Sequence, residues 1–311
     1  MHLDDDNQLR QNSDGATDAH GESLPLAGSP GAMEPTIASP EPQFPLPPLR
    51  QRTFDPTLPE DLRVPWGWQD LLLLVVVAIA GTIVLSMIIV MGFAFSGVSF
   101  RQLQASISDE NLVLIINQAL LSVALLIYLS AQMRLRFALP FWRTIGWRPL
   151  QTEKTTRPVA YLGFVLSGFL LAVLVSVGSS AFHTKTQLPI EHFFQDRTSA
   201  LLLMLLGVLV APVLEETIFR GYIYPVAARS FGVMGGVLFT GTIFGLLHAS
   251  QLWGGWGQIA LLVVVGIVFT YARAATRTVV ASYLMHVSYN SFLFLAMAIG
   301  SHGFRHFPGA S

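Results

Sequence analysis

Seven stretches of this 311-residue chain are apolar over lengths near that of a membrane-crossing helix. They cover residues 71–95, 112–130, 159–181, 200–219, 233–248, 259–275 and 279–299. A helix of about 20 apolar residues spans the hydrocarbon core, because only a helix satisfies its own backbone groups there. Most of the seven approach that length; 233–248 is short. Seven helices apolar on every face would leave too little polar chain to cover them in water. Composition agrees, with 52% hydrophobic and 12% charged residues, about half the charge of an ordinary soluble domain. The expected fold class is therefore all-α: a polytopic membrane helix bundle of seven spans. An eighth, half-membrane segment has room around residues 137–145.

Residues 1–65 differ in kind. Asp, Ser, Gly and Pro dominate, and large apolar groups are few. Such a tail cannot bury enough surface to offset its ordering entropy, so it is expected to be disordered. It lacks the apolar core of a cleavable signal peptide. Within it, Pro45-Leu46-Pro47-Pro48-Leu49-Arg50 suits a stiff proline spacer better than a ligand of SH3-type domains. Trp66 and Trp68, at the start of the first span, suit interfacial anchoring. A net charge of −1 argues against nucleic acid as a partner, since that role needs a basic surface. The absence of cysteine removes disulfides, thiolate catalysis and cysteine metal sites from consideration.

The basic residues orient the bundle. With a cytoplasmic N-terminus and seven alternating spans, 14 of the 18 Lys and Arg fall on the cytoplasmic side. Only Arg101, Lys185, Arg197 and Arg305 fall outside. The positive-inside rule favours that orientation, in a multi-pass protein expected in a bacterial plasma membrane.

Three polar islands interrupt the apolar segments. The first is Val213-Leu214-Glu215-Glu216-Thr217-Ile218-Phe219-Arg220. Ionisable groups at membrane depth are costly, so they face a protein interior or wet cavity and mark function. Glu216 and Arg220 stand at i,i+4 in the favourable order for an ion pair. Glu215 is rotated about 100° from its neighbour and is left for another task. A structural ion pair with a snorkelling charge accounts for Glu216 and Arg220 but poorly for Glu215. The second island is Phe244-Gly245-Leu246-Leu247-His248. A lone histidine on an apolar helix is more often a satisfied core group. The third holds His286 and Asn290, which share a face at i,i+4 amid Met285, Val287, Phe292 and Leu293. A local hydrogen bond would explain that pair alone; three islands together point to one polar centre.

Glu-Glu-x-x-x-Arg, Phe-x-x-x-His and His-x-x-x-Asn, in this order in a polytopic chain, resemble the CAAX protease and bacteriocin-processing (CPBP, or Abi) family. The matching positions are Glu215, Glu216 and Arg220, then Phe244 and His248, then His286 and Asn290, within residues 199–296. The resemblance divides the chain into a tail (1–65), N-terminal spans (66–198), a protease-like core (199–296) and a C-terminal tail (297–311). It implies an intramembrane endopeptidase cutting near the C-terminus of a lipidated or membrane-associated protein or peptide substrate. It also implies roles. Glu215 is the base that activates water, His248 orients that water, and His286 and Asn290 stabilise the oxyanion. Glu216 and Arg220 hold the helix of Glu215 or a substrate carboxylate. No cofactor is required by that mechanism. Zinc held by Glu215, His248 and His286 is an allowed alternative, although no His-Glu-x-x-His motif is present.

Depth poses a difficulty. In this topology Glu215 and His286 lie toward the cytoplasmic ends of their helices, and His248 at the far end of its own. A fourth helix continuing past Arg220 would resolve it, as would a break near Gly232, Gly235, Gly236, Gly241 or Gly245. A deep cavity open to the cytoplasm is expected. Two rival classes are a non-catalytic scaffold or immunity protein that keeps the fold, and a transporter with a Glu/His/Arg relay. The second predicts inverted repeats, and none is visible between the first three segments and the last four.

Overall fold

A computed structural model describes residues 58–95, 97, 107–151, 156–182, 188–194 and 196–305. The proline-rich motif at 45–50 and most of the N-terminal tail lie outside the described residues. Among these, the chain is helical throughout and forms no strand. The helices are α1 (Trp68–Phe95), α2 (Ile107–Ala131), α3 (Phe141–Thr144), α4 (Arg157–Ser179), α5 (Arg197–Leu205), α6 (Ala211–Glu216), α7 (Tyr224–Leu247), α8 (Trp256–Thr276) and α9 (Val279–Gly300). Six helical runs are long and apolar enough to cross a membrane. Their outward faces keep large apolar side chains exposed, as with Leu72, Val76, Ile79 and Ile83 on α1. That is the surface expected of helices whose solvent is lipid.

The difference from seven segments lies in the fourth and fifth, which join into one 51-residue run, Arg197–Leu247. At 1.5 Å per residue such a run would be about 75 Å long, more than twice the hydrocarbon thickness. It does not run straight. Gly232 stands at φ 76°, ψ 167° inside α7, a conformation essentially reserved for glycine. Across that break the chain folds back on itself, so that a Cβ on Gly236 would meet the Ala228 backbone nitrogen at 2.6 Å. The run is a helical hairpin, and the bundle keeps seven crossings. The eighth segment does not span: α3 is a single turn, with Phe141 and Ile145 buried in the bundle's core.

The first arm of the hairpin contains two π turns, Leu206–Val210 and Thr217–Ile223. Each precedes a proline, Pro212 or Pro225, that sits at the start of the next α segment. There the missing N–H breaks no hydrogen bond of that segment. The π turns thus let a helix carrying two internal prolines continue past Glu215 and Glu216, and π turns are frequent at functional sites.

Contacts identify the two ends of the bundle. At one end Arg273 pairs with Asp61 at 2.8 Å and Arg148 with Glu60 at 2.9 Å. The Val279 amide donates to the Gly146 carbonyl there. At the other end the Ile190 amide donates to the Gln251 carbonyl, Asn111 Nδ2 donates to the His192 carbonyl, and Phe194 stacks on Phe304. Arg63, Arg134, Arg136, Arg143, Arg148, Arg157, Arg229, Arg273 and Arg277 belong to the first end; among the described residues the second end carries Arg197 and Arg305.

Two expectations are corrected at the arginine-rich end. Residues 60–65, assigned to the tail by composition, are ordered: Glu60–Leu62 form a 3₁₀ turn, and Leu62 and Val64 are buried. Trp66 is no interfacial anchor. It is completely buried, stacks on Tyr222 at 5.0 Å, and its Nε1 donates to the Tyr222 carbonyl. Arg229 clamps the same strap by donating to the Val64 and Trp66 carbonyls. Trp68 remains partly exposed, its Nε1 donating to Ser230 Oγ.

Candidate active site

The hairpin explains how residues far apart in sequence come level. Glu215 precedes Gly232 by 17 residues and His248 follows it by 16, so antiparallel arms of equal rise place them side by side. Glu215 thereby lies midway along the first arm, at mid-depth, and His248 caps the second arm after Leu247. The depth difficulty is resolved by the helix running on through Arg220. That arginine is accordingly inside the bundle and not in a cytoplasmic stretch. The second arm packs on α8 at backbone distance: Cβ atoms on Gly241 and Gly245 would meet the Ile267 and Val263 nitrogens at 2.5 Å and 2.6 Å. This brings Phe244 onto Phe269 and both onto His286 of α9.

The two glutamates have different surroundings. Glu216 has no exposed surface. Its Oε1 accepts from Arg220 Nη1 at 3.0 Å and from His286 Nδ1 at 2.8 Å. Arg220, equally buried, also donates to the Gly266 carbonyl at 3.0 Å and lies 4.3 Å from the Phe244 ring centroid. A buried charge persists only with such partners. Arg220 therefore cannot receive a substrate carboxylate. Glu216 does more than hold its helix: it fixes the His286 ring and leaves only Nε2 facing outward.

Glu215 is 24% exposed and borders a cavity. Its Oε1 lies 4.0 Å from His248 Nε2 and its Oε2 lies 3.7 Å from His286 Nε2. His248 Nδ1 sits 2.8 Å from the Phe244 carbonyl. A carbonyl only accepts, so Nδ1 carries a proton, and Nε2 is the ring nitrogen that faces Glu215. Asn290, one turn after His286, donates from Nδ2 to the Gly207 carbonyl in the first π turn at 2.8 Å. It also lines the cavity and keeps its second N–H.

All seven residues singled out in the sequence thus fall in one neighbourhood: Glu215, His248, His286 and Asn290 on the cavity, with Phe244 beside both histidines and Glu216 and Arg220 behind. Sequence reasoning missed Phe269, Gly207 and Gly266. Gly266 carried a legible signal, since a glycine in an apolar helix marks close backbone approach. Here a Cβ would lie 2.4 Å from the Gly241 carbonyl oxygen.

Zinc held by Glu215, His248 and His286 has no preassembled site here: among the described residues no group of three His, Asp or Glu side chains is already arranged around one ion position.

The cavity encloses about 560 Å³. Ala211, Glu215, Phe244, Phe269 and His286 form its deep wall, and its sides run out to Ser179, Ile190, Phe194, Gln251, Gln258 and Met297. Those side residues all belong to the end away from the arginines. The expected opening at the arginine-rich end is not what the fold provides.

Residues 197–292 match a family model described as Type II CAAX prenyl endopeptidase Rce1-like, and all seven site residues lie within that span. No curated protein matches the chain. No solved structure does either.

Proposed function

We propose that this chain, which over residues 197–292 matches the Rce1-like type II CAAX prenyl endopeptidase family model, is an intramembrane endopeptidase using Glu215 as its base. The family is one of proteases, and six long apolar helical runs make the protein integral to a membrane. One observation carries the finer reading. Of two adjacent glutamates, one is buried and paired through Oε1 with Arg220 and His286, and the other stands on the cavity between two imidazole Nε2 atoms.

The chemistry follows from those positions. A water between Glu215 and His248 gives one proton to the carboxylate and directs its second hydrogen to the Nε2 lone pair of His248. The hydroxide attacks the carbonyl carbon of the scissile amide. The resulting oxyanion accepts from the free N–H of Asn290 and from His286, which in that role carries a proton on Nε2 as well. Glu216 behind the ring holds Nδ1. Preorganised donors in a site removed from bulk water are worth most to such a transition state. The tetrahedral intermediate collapses as Glu215 returns its proton to the departing nitrogen, and the C–N bond breaks. No step passes through a metal. The substrate is a membrane-associated or lipidated protein or peptide, cut near its C-terminus.

The test is a comparison of C-terminal peptides from membranes carrying the intact chain and Glu215→Gln at equal abundance. Peptides that depend on Glu215 support hydrolysis. Unchanged peptides with a retained cellular phenotype would instead support a scaffold that only keeps the fold.

A further inference from the structure

The chamber in front of Glu215 has a direction and a chemistry that the reaction alone does not require. Its sides are built by Gln118 of α2 and the second-end portions of α4, α5, α8 and α9, with the 190–194 turn and the 248–252 turn. No described lining residue comes from the end where Asp61, Arg148, Arg229 and Arg273 meet. The deep wall, Ala211 to Phe269, closes the path toward that end with the buried Glu216–Arg220 pair behind it.

Among the described residues the outer lining is also uncharged. Apart from Glu215, His248 and His286, the one ionisable lining residue among them is Tyr289, whose group is neutral at ordinary pH. No described Lys, Arg or Asp lines it. The polar groups around its outer part are amides and hydroxyls: Gln118, Ser176, Ser179, Gln251 and Gln258. The remainder is apolar, including Leu203, Leu206, Leu252, Leu262 and Leu293. Such a wall satisfies peptide backbone groups with amides and hydroxyls, and buries apolar side chains. It offers nothing to a charged one, which would be left unpaired at membrane depth.

Sidedness follows from charge. Nine described arginines gather at the end the cavity avoids, against Arg197 and Arg305 at the end it faces. A bias of that size places the arginine-rich end in the cytoplasm. We propose that the chamber admits an uncharged, apolar segment of a membrane-associated substrate from the non-cytoplasmic side. This rests on the reading of Glu215 as the catalytic base.

The chain contains no cysteine, so single substitutions report position without background. Gln251→Cys and Ser176→Cys, both exposed at the mouth, and Arg143→Cys, exposed at the opposite end, are treated in intact cells with a membrane-impermeant maleimide. Gln251→Cys and Ser176→Cys should be labelled, and Arg143→Cys only after the cells are broken. Ser179→Cys in purified protein is then labelled in the presence of a synthetic peptide of Leu, Ala and Phe, or of the same peptide with a central Asp. The apolar peptide should slow labelling, and the acidic one should protect roughly tenfold more weakly or worse. Labelling of Arg143→Cys in intact cells with a silent mouth, or equal protection or none by the two peptides, would overturn the proposal. Every variant is also made on Glu215→Gln, so the outcome does not depend on turnover. If Glu215→Gln leaves membrane peptides unchanged, hydrolysis fails while the sidedness result stands.

Discussion

Glu215 and Glu216 are adjacent in sequence, yet one faces a cavity and the other is sealed behind it. Helical spacing was enough to pair Glu216 with Arg220 and to leave Glu215 over. It could not show that Glu216 also takes the Nδ1 hydrogen of His286, because that partner lies 70 residues away. Two predictions belong at this scale. Arg220→Leu strands Glu216 without its cation and should lower stability by about 3–5 kcal/mol, measured as thermal unfolding in detergent. Replacing Glu216 by Leu as well should recover much of that loss and still leave His286 without its support. Asn290→Ala should leave the fold intact and slow the appearance of Glu215-dependent peptides by roughly 10²–10³-fold, with little change in substrate affinity. An effect on affinity alone would assign Asn290 to binding.

Among the elements, the helical hairpin does the positioning. Its two arms were read from the sequence as separate spans, and the glycines from 232 to 245 were recognised as sites of a kink or close packing. Which glycine does which could not be read, because both roles look alike in composition. Gly232 is conformational: nothing lies within 4 Å of a Cβ there, but its φ is 76°. Gly241 is steric: its φ is helical, but a Cβ would strike Ile267 backbone. Gly232→Ala should therefore cost about 1–3 kcal/mol as strain alone, visible as a lower unfolding temperature with the site otherwise functional. Gly241→Leu should push the second arm off α8 and take Phe244 and His248 with it, so that stability and peptide cleavage fall together. The strap at 60–66 was the least legible element. Its composition is that of the tail, and its order comes from Trp66 on Tyr222 and from arginines more than 80 residues away.

At the scale of the whole molecule, apolar length and the order of the polar islands made the bundle and its site residues visible before any coordinates. The direction of the cavity was not visible, since it depends on how far each helix runs past its polar residue. The arrangement of donors around Glu215 predicts that membranes treated with a strong chelator keep Glu215-dependent cleavage; its loss, restored by zinc, would require a different chemistry. The central claim concerns one carboxylate, and the direct measurement is the inventory of C-terminal peptides in membranes bearing the intact chain, Glu215→Gln and Glu215→Asp at matched abundance. The account predicts that a defined set of peptides vanishes in Glu215→Gln and is strongly reduced in Glu215→Asp, whose shorter side chain draws away from both histidines. An identical inventory in all three membranes would contradict it.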